Sequence, residues 1–360
     1  MNKINFLKKQ LKTGECFLVS SPENRLYLTS FNSSDGFLFI TKDDVTLFAD
    51  SRYIEKAQKE AQGCDSILLL DNQSEQLPQF VSENNIETVF TEEEKLSVAS
   101  FKFLTQRLQC DVKAERLDKN LSKERRSKSR EEKNYIIKAQ HIAEEAFGHI
   151  LTFIKPGVTE KEIALELDYF MIKNGADCPA FETIALSGPN TSMPHGVPGS
   201  RRVKEGDFVT MDFGARVRGY NSDMTRTVAV GKVSDEMERV YSVVLKAQLA
   251  ALSAYKAGKT CKEADGAARD IIKNEGFGEY FGHGTGHGVG IDIHENPTVS
   301  SRSRFTLEEG DIVTVEPGIY IPGKFGVRIE DMVYITKDGN ENLTNAGKEI
   351  DLYNRVHKSN

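Results

Sequence analysis

Over the first 120 residues, short apolar bursts alternate with stretches whose apolar positions recur at helical spacing. Cys16–Ser20, Gly36–Thr41 and Val45–Ala49 read as strands, the last two joined by a tight turn at Lys42-Asp43-Asp44. A helix is predicted over Tyr53–Gln62, a strand over Ser66–Leu70 and a helix over Ser74–Asn84. A strand at Thr88–Phe90 and one more helix follow. This alternation predicts a small α/β domain, and it contains no phosphate-binding glycine loop. Ser122–Lys133 then carries no apolar side chain. With acids interleaved among its bases, it reads as a solvated linker rather than a nucleic-acid patch. The boundary is placed there, dividing residues 1–122 from 123–360. From about Lys133 to Ile154, residues such as Ile136, Ala139, Ala143, Ala146 and Ile150 mark a helix that stops before Pro156-Gly157.

The second region repeats itself. Lys155–Glu162 resembles Lys256–Glu263, Ile172–Asn174 recurs at Ile272–Asn274, and Glu205–Asp212 recurs as Glu309–Glu316, each about 100 residues later. Three ordered matches predict two similar α+β halves related by a pseudo-twofold axis. Each half ends its repeated strand on an acid, and a site between the halves is expected.

Those acids come in pairs. A hairpin centred on Val217-Arg218 would set Asp212 directly opposite Asp223, and a turn centred on Gly323 would set Glu316 opposite Glu330. Opposed like charges destabilise a sheet, and apolar neighbours such as Val209, Met211, Val313 and Val315 add desolvation. Protonated carboxyls or a different register would relieve the conflict. So would cations, and two divalent ions would balance four carboxylates.

Histidines point the same way. Four of the seven lie in two short segments: His195 in the turn-rich Asn190–Pro198, and His283, His287 and His294 in or just after Phe281–Gly290. Glycine occupies every even position from 282 to 290, which forbids a helix. As an extended strand, the segment would put His283, Thr285 and His287 on one face, with another backbone or a ligand close against the glycines. At least one of these histidines is expected to be a ligand, the others proton carriers or substrate donors.

Composition narrows the field. A net charge of −7 argues against nucleic acid and against an anionic membrane. The longest aliphatic run, Ile67–Leu70, cannot span a bilayer, and Met1–Lys12 lacks an apolar core of signal-peptide length. Five scattered cysteines form no CxxC pair and suit a reducing, cytoplasmic setting.

Together Met211-Asp-Phe-Gly214, Ser222-Asp-Met-Thr-Arg226, His283–Gly290 with His294-Glu-Asn-Pro297, Val315–Tyr320 and Val327-Arg-Ile-Glu-Asp331 resemble the pita-bread metallopeptidases. Within these they are most similar to the Xaa-Pro dipeptidase (prolidase) and aminopeptidase P group. The likeness covers about residues 125–350. Residues 1–120, with Asn24–Thr29, more loosely resemble the creatinase/prolidase N-terminal domain.

The resemblance implies a pita-bread catalytic domain behind a smaller α/β domain. It also implies a dinuclear metal site, with Asp223 and Glu330 bridging the ions, Asp212 on one ion, and His287 with Glu316 on the other. His195, His283 and His294 would handle substrate, Glu316 would also move protons, and Tyr320 and Arg328 would support the ligands. Oxygen-rich ligation favours Mn²⁺, ahead of Co²⁺ or Zn²⁺. The implied substrates are short proline-containing peptides cut after their first residue, a dipeptidase being slightly favoured over an aminopeptidase, and the implied assembly is a homodimer. The alternatives are a methionine aminopeptidase-like enzyme, a metal-free creatinase-like enzyme and a non-catalytic binding protein of this fold.

Overall fold

The computed structural model describes residues 3–358. The chain divides into two compact units, Met1–Arg125 and Arg126–Asn360. Among the described residues no helix is long and apolar enough to cross a membrane.

In the first unit six strands form one sheet, in the order Ser66–Leu69, Val45–Ala49, Phe37–Thr41, Glu15–Val19, Thr88–Thr91, Asp111–Ala114. The three central strands pair antiparallel and the outer joins are parallel. Parallel neighbours need crossovers, and the helices Ile54–Glu60, Gln73–Glu83 and Val98–Arg107 lie between these strands in the chain. A helix over Pro22–Thr29 adds to the elements read from the pattern. Its start signal is present, since Ser21 caps the helix and Pro22 takes the first turn. It carries no apolar stripe, because Asn24 and Arg25 are among the residues it buries.

Ser122–Lys133 enters a helix as expected, but it is mostly helix itself rather than linker. Leu117–Arg126 and Arg130–Phe153 are helices, the second closed by a capping box between Ser129 and Glu132. Arg126 forks onto Asp311 at 3.0 and 2.7 Å, and the buried Lys128 ammonium lies 3.1 Å from Glu295. Arg126 and Lys128 are thus paired, while Lys123, Glu124, Arg130 and Glu131 are exposed.

Within the second unit the repeat is visible in detail. Helices Arg130–Phe153 and Glu160–Lys173 precede strands Phe208–Phe213 and Met224–Ala229. Helices Asp235–Ala254 and Cys261–Asn274 likewise precede Ile312–Val315 and Asp331–Ile335. Thr159 with Glu162 and Thr260 with Glu263 form matching capping boxes. Isolated bridges Thr159–Arg202 and Thr260–Thr306 tie each helix start to the approach to its strand. Gly206 and Gly310 donate to Val230 O and Ile335 O at 2.7 and 3.0 Å, closing each strand pair in the same way.

Period-two alternation then decides which side chains face inward. Val209, Met211 and Phe213 pack with Ile142, Ala146, Ile163 and Leu167 in one core. Val313 and Val315 pack with Val244, Ala247, Ala264 and Ala268 in another. Burying each such side chain contributes roughly 1.5–3 kcal/mol, so the strands hold this orientation. Their alternate residues, Thr210 with Asp212 and Thr314 with Glu316, are turned the other way.

Candidate metal centre

The first ribbon is centred one residue later than Val217-Arg218. Val217 pairs with Tyr220, and Arg218 and Gly219 form the turn with φ of 52° and 80°. Two successive positive φ values make a type I′ turn, and Gly219 takes the second at no steric cost. Asp212 therefore lies opposite Thr225, not opposite Asp223 as expected, and Asp223 precedes its strand. The two aspartates are displaced diagonally by two residues, which eases their repulsion.

In the second ribbon the expected register is present. Gly318–Ile321 pairs with Phe325–Arg328, and Ile312–Val315 with Asp331–Ile335, both symmetric about Gly323. Glu316 and Glu330 fall in the gap between the two ladders, their amides donating to Thr285 O and Thr225 O.

The glycine-rich segment forms a shorter strand than predicted, Gly286–Gly288, lying between Glu295–Val299 and Ile312–Val315. What approaches the glycines is backbone: a Cβ at Gly286 would stand 2.0 Å from Thr314 O. Thr285 does not join the two histidines at the site, because its hydroxyl and amide are spent on Asp265 at 2.7 and 3.1 Å. Asp265 also holds Arg269, which donates to His283 O at 2.7 Å and Phe281 O at 3.0 Å. This brace was not read from the sequence; its signal was an acid and a base four residues apart on one helix.

A cleft of about 460 Å³ is lined by the four carboxylates, by His195, His283, His287 and His294, and by Arg328. Asp223, His287 and Glu330 each bring one donor atom within 4.8 Å of the others. His287 Nε2 lies 3.5 Å from Asp223 and 3.4 Å from Glu316. Its Nδ1 is 3.1 Å from Gly288 O. A carbonyl only accepts, so Nδ1 carries the proton and Nε2 presents a lone pair.

His283 repeats the arrangement, with Nδ1 2.7 Å from Gly284 O and Nε2 2.9 Å from the Tyr320 hydroxyl. Arg328 donates to that hydroxyl at 2.9 Å and also to Asp212. A continuous chain of donors thus runs from Arg328 through Tyr320 to His283. His294 packs edge-on against His287 with ring centres 4.4 Å apart, and both His294 and His195 are exposed at the cleft.

Burial, with Asp212 and Glu316 beside it, holds the Asp223 carboxyl well above its ordinary pKa. Burial does the same to Glu330, helped by Asp223, Glu316 and Asp212. Glu316 is raised by burial, against the pull of His283 and Arg328. The buried imidazoles of His283 and His287 are pushed down, towards the neutral form. Burial works against the Arg328 charge, yet Tyr320, Asp212, Glu330 and Glu316 hold its pKa well up. Tyr320 is pushed up to about 12 by burial and stays a donor.

Asp212 Oδ1 is buried without a hydrogen-bond partner, an expensive condition for a carboxylate oxygen. An unpartnered oxygen, a free imidazole lone pair and crowded carboxylates fit divalent ions.

Paired helices backing two carboxylate ribbons around one imidazole define a duplicated metallohydrolase. Residues 134–337 match Metallopeptidase family M24, and residues 8–127 match the Creatinase/Prolidase N-terminal domain. The chain belongs to metallopeptidase family M24, and with that membership comes the use of divalent metal. It is 36% identical to the Xaa-Pro dipeptidase of Pyrococcus furiosus, over 92% of this chain and 94% of that one. A solved Xaa-Pro dipeptidase from Bacillus anthracis superposes with a TM-score of 0.92 at 40% identity, covering 97% of this chain and 98% of that one. An X-Pro aminopeptidase structure from Thermotoga maritima gives 0.88 at 36% identity, covering 95% and 99%.

Proposed function

We propose that this enzyme hydrolyses the bond between a first residue and a following proline in dipeptides or short peptides, with two divalent ions in the cleft. The observation that carries the reading is the meeting of Asp212, Asp223, Glu316 and Glu330 with His287 in that one cleft. Asp223 and Glu330, from opposite halves, would hold both ions, Asp212 would hold one, and His287 with Glu316 the other. Mn²⁺ is the proposed metal, on the oxygen-rich donor set. When bound, such ions supply Lewis acidity and lower the pKa of water.

The rest of the chemistry belongs to the side chains. A proline nitrogen carries no N–H in the peptide, and as leaving group it must gain a proton. Glu316, raised by burial and 3.9 Å from His283 Nδ1, is placed to take a proton and return it to that nitrogen. Arg328 and Tyr320 keep His283 in one tautomer, with Nε2 accepting from the tyrosine. His294 and His195, exposed at the mouth, are placed to donate to the substrate carbonyl or its termini.

Relatives named for dipeptidase and for aminopeptidase activity are both close in fold. We favour the dipeptidase slightly, as the sequence motifs do. The test is turnover of an Xaa-Pro dipeptide against an Xaa-Pro-Xaa tripeptide, in protein stripped of metal and resupplied with Mn²⁺. Hydrolysis of neither, with Mn²⁺ bound, would refute the substrate class.

The same reading extends to a homodimer working in the cytoplasm. Unpaired cysteines suit the second point, and sedimentation of the full chain tests the first.

A further inference from the structure

Two charged residues of the motifs that carry the family likeness take no part in lining the cleft. Arg226 and Asp331 are 1% and 0% exposed, and their side chains meet at 2.8 Å. A cation in the wholly buried strand Met224–Ala229, or an anion opening Asp331–Ile335, would be costly to bury alone.

Each is fully satisfied. All five guanidinium N–H groups of Arg226 have acceptors: Gly347 O at 2.9 Å, Thr225 O at 2.9 Å, Ala346 O at 2.8 Å, Asp331 Oδ1, and Glu330 O. The other Asp331 oxygen accepts from Gln248 at 3.0 Å, Asn342 at 2.8 Å, and Lys348.

The two residues also hold the same place in the repeat. Arg226 stands opposite Met211, one residue before Asp212, and Asp331 opposite Val315, one residue before Glu316. The ion pair therefore joins counterpart positions across the seam between the halves, as a residue near a twofold axis meets its own mate. A strictly symmetric repeat would set like against like at this point. Opposite charges let the seam close.

Behind the cleft the pair reaches Glu330. Arg226 donates to Thr225 O from the first half and to Glu330 O from the second. Glu330 N donates to that same Thr225 O at 3.1 Å, and the Thr225 hydroxyl donates to the Glu330 carboxylate at 2.5 Å. One guanidinium thus fixes the spacing of two backbones, one carrying Asp223 two residues before Thr225, the other carrying Glu330.

We propose that the buried Arg226–Asp331 pair is the positioning device that sets the separation of Asp223 and Glu330, and through it the affinity for metal. This rests on the reading of those two carboxylates as ligands. Arg226→Lys keeps the charge but offers three donors in place of five. In that variant Mn²⁺, titrated into chelator-treated full-length protein, is expected to bind roughly 10–100-fold more weakly. The kcat for an Xaa-Pro dipeptide falls in step, with KM moving less than about twofold. A folded Arg226→Lys protein with unchanged Mn²⁺ affinity, altered only in thermal midpoint, overturns the proposal.

Should Arg226→Lys not fold, Asp331→Asn carries the same test, since it keeps an acceptor for the guanidinium but not the charge. Glu330→Gln separates the two readings. If it binds Mn²⁺ normally, the ligand assignment itself fails. If it loses Mn²⁺ while Arg226→Lys does not, only the positioning role fails.

Discussion

The two halves of the second unit share a frame and differ in what the frame carries. Asp212 and Glu316 hold matching places at the ends of matching strands. Facing them, Thr225 in the first half stands where Glu330 stands in the second. Two residues earlier, Asp223 in the first half corresponds to Arg328 in the second. A duplicated backbone therefore supplies equivalent positions, and departures from equivalence supply the chemistry. Carboxylates at all six places would leave the cleft crowded with negative charge. Placing Arg328 and Thr225 at two of them gives Asp212 a counter-charge and Glu330 a hydroxyl donor.

The comparison breaks most severely at the carboxylates. Asp223→Ala or Glu330→Gln removes several kcal/mol of transition-state stabilisation, and kcat/KM for an Xaa-Pro dipeptide is expected to fall on the order of 10³-fold. Chelation should do the same to the wild type, with Mn²⁺ restoring only the latter. Next comes the odd cation. Arg328→Gln strands a buried carboxylate at Asp212 and is expected to cost about 3–5 kcal/mol in chelated protein. Urea titration measures that loss, which shrinks when Mn²⁺ is present. At the place facing Asp212, Thr225→Val removes a hydrogen bond to a charged group and is expected to cost about 1.5–3 kcal/mol. Weaker Mn²⁺ binding should accompany it.

A pH series sharpens the contrast further. Burial holds Asp223 and Glu330 well above their ordinary values, so the folded, metal-free protein binds protons that the unfolded chain has released. The stability these two groups contribute is then greatest below the ordinary carboxylate range. It falls as pH rises from the ordinary to the raised values, by about 1.4 kcal/mol per pH unit for each proton held by the folded state alone. Mn²⁺ should reverse the slope, because it binds the deprotonated forms. A flat profile in chelated protein would remove the electrostatic conflict from the argument. The smallest effect lies where the halves agree. Thr159→Ala and Thr260→Ala each break a capping box and are expected to cost about 1 kcal/mol, equally, with metal affinity unchanged.

Much of this was legible in the chain because repetition is a pattern that survives without knowledge of the fold. The second ribbon's register followed from spacing around Gly323, the four carboxylates were singled out from two hairpins, and His287 from the family resemblance. The first ribbon's register did not, because its turn depends on the left-handed conformation of Arg218, which spacing alone does not disclose. Gly219 was the available clue. Charged residues were the other blind spot. Lys128, Arg226, Asp265 and Asp331 are buried, yet a lone charged letter reads as solvent-facing until its partner, often 100 residues distant, is known. Asp331 did carry a signal, since it opens the otherwise apolar strand Asp331–Ile335.

The backbone pressed against Gly286 has an implication for how this enzyme can change. With Thr314 O only 2.0 Å from the place a methyl group would occupy, the strand bearing His287 is closed to any side chain at that position. Libraries aimed at new specificity will yield dead clones there. Variation is better directed at the loop of Met193 and Val197, two exposed apolar residues, the second of which borders the cleft.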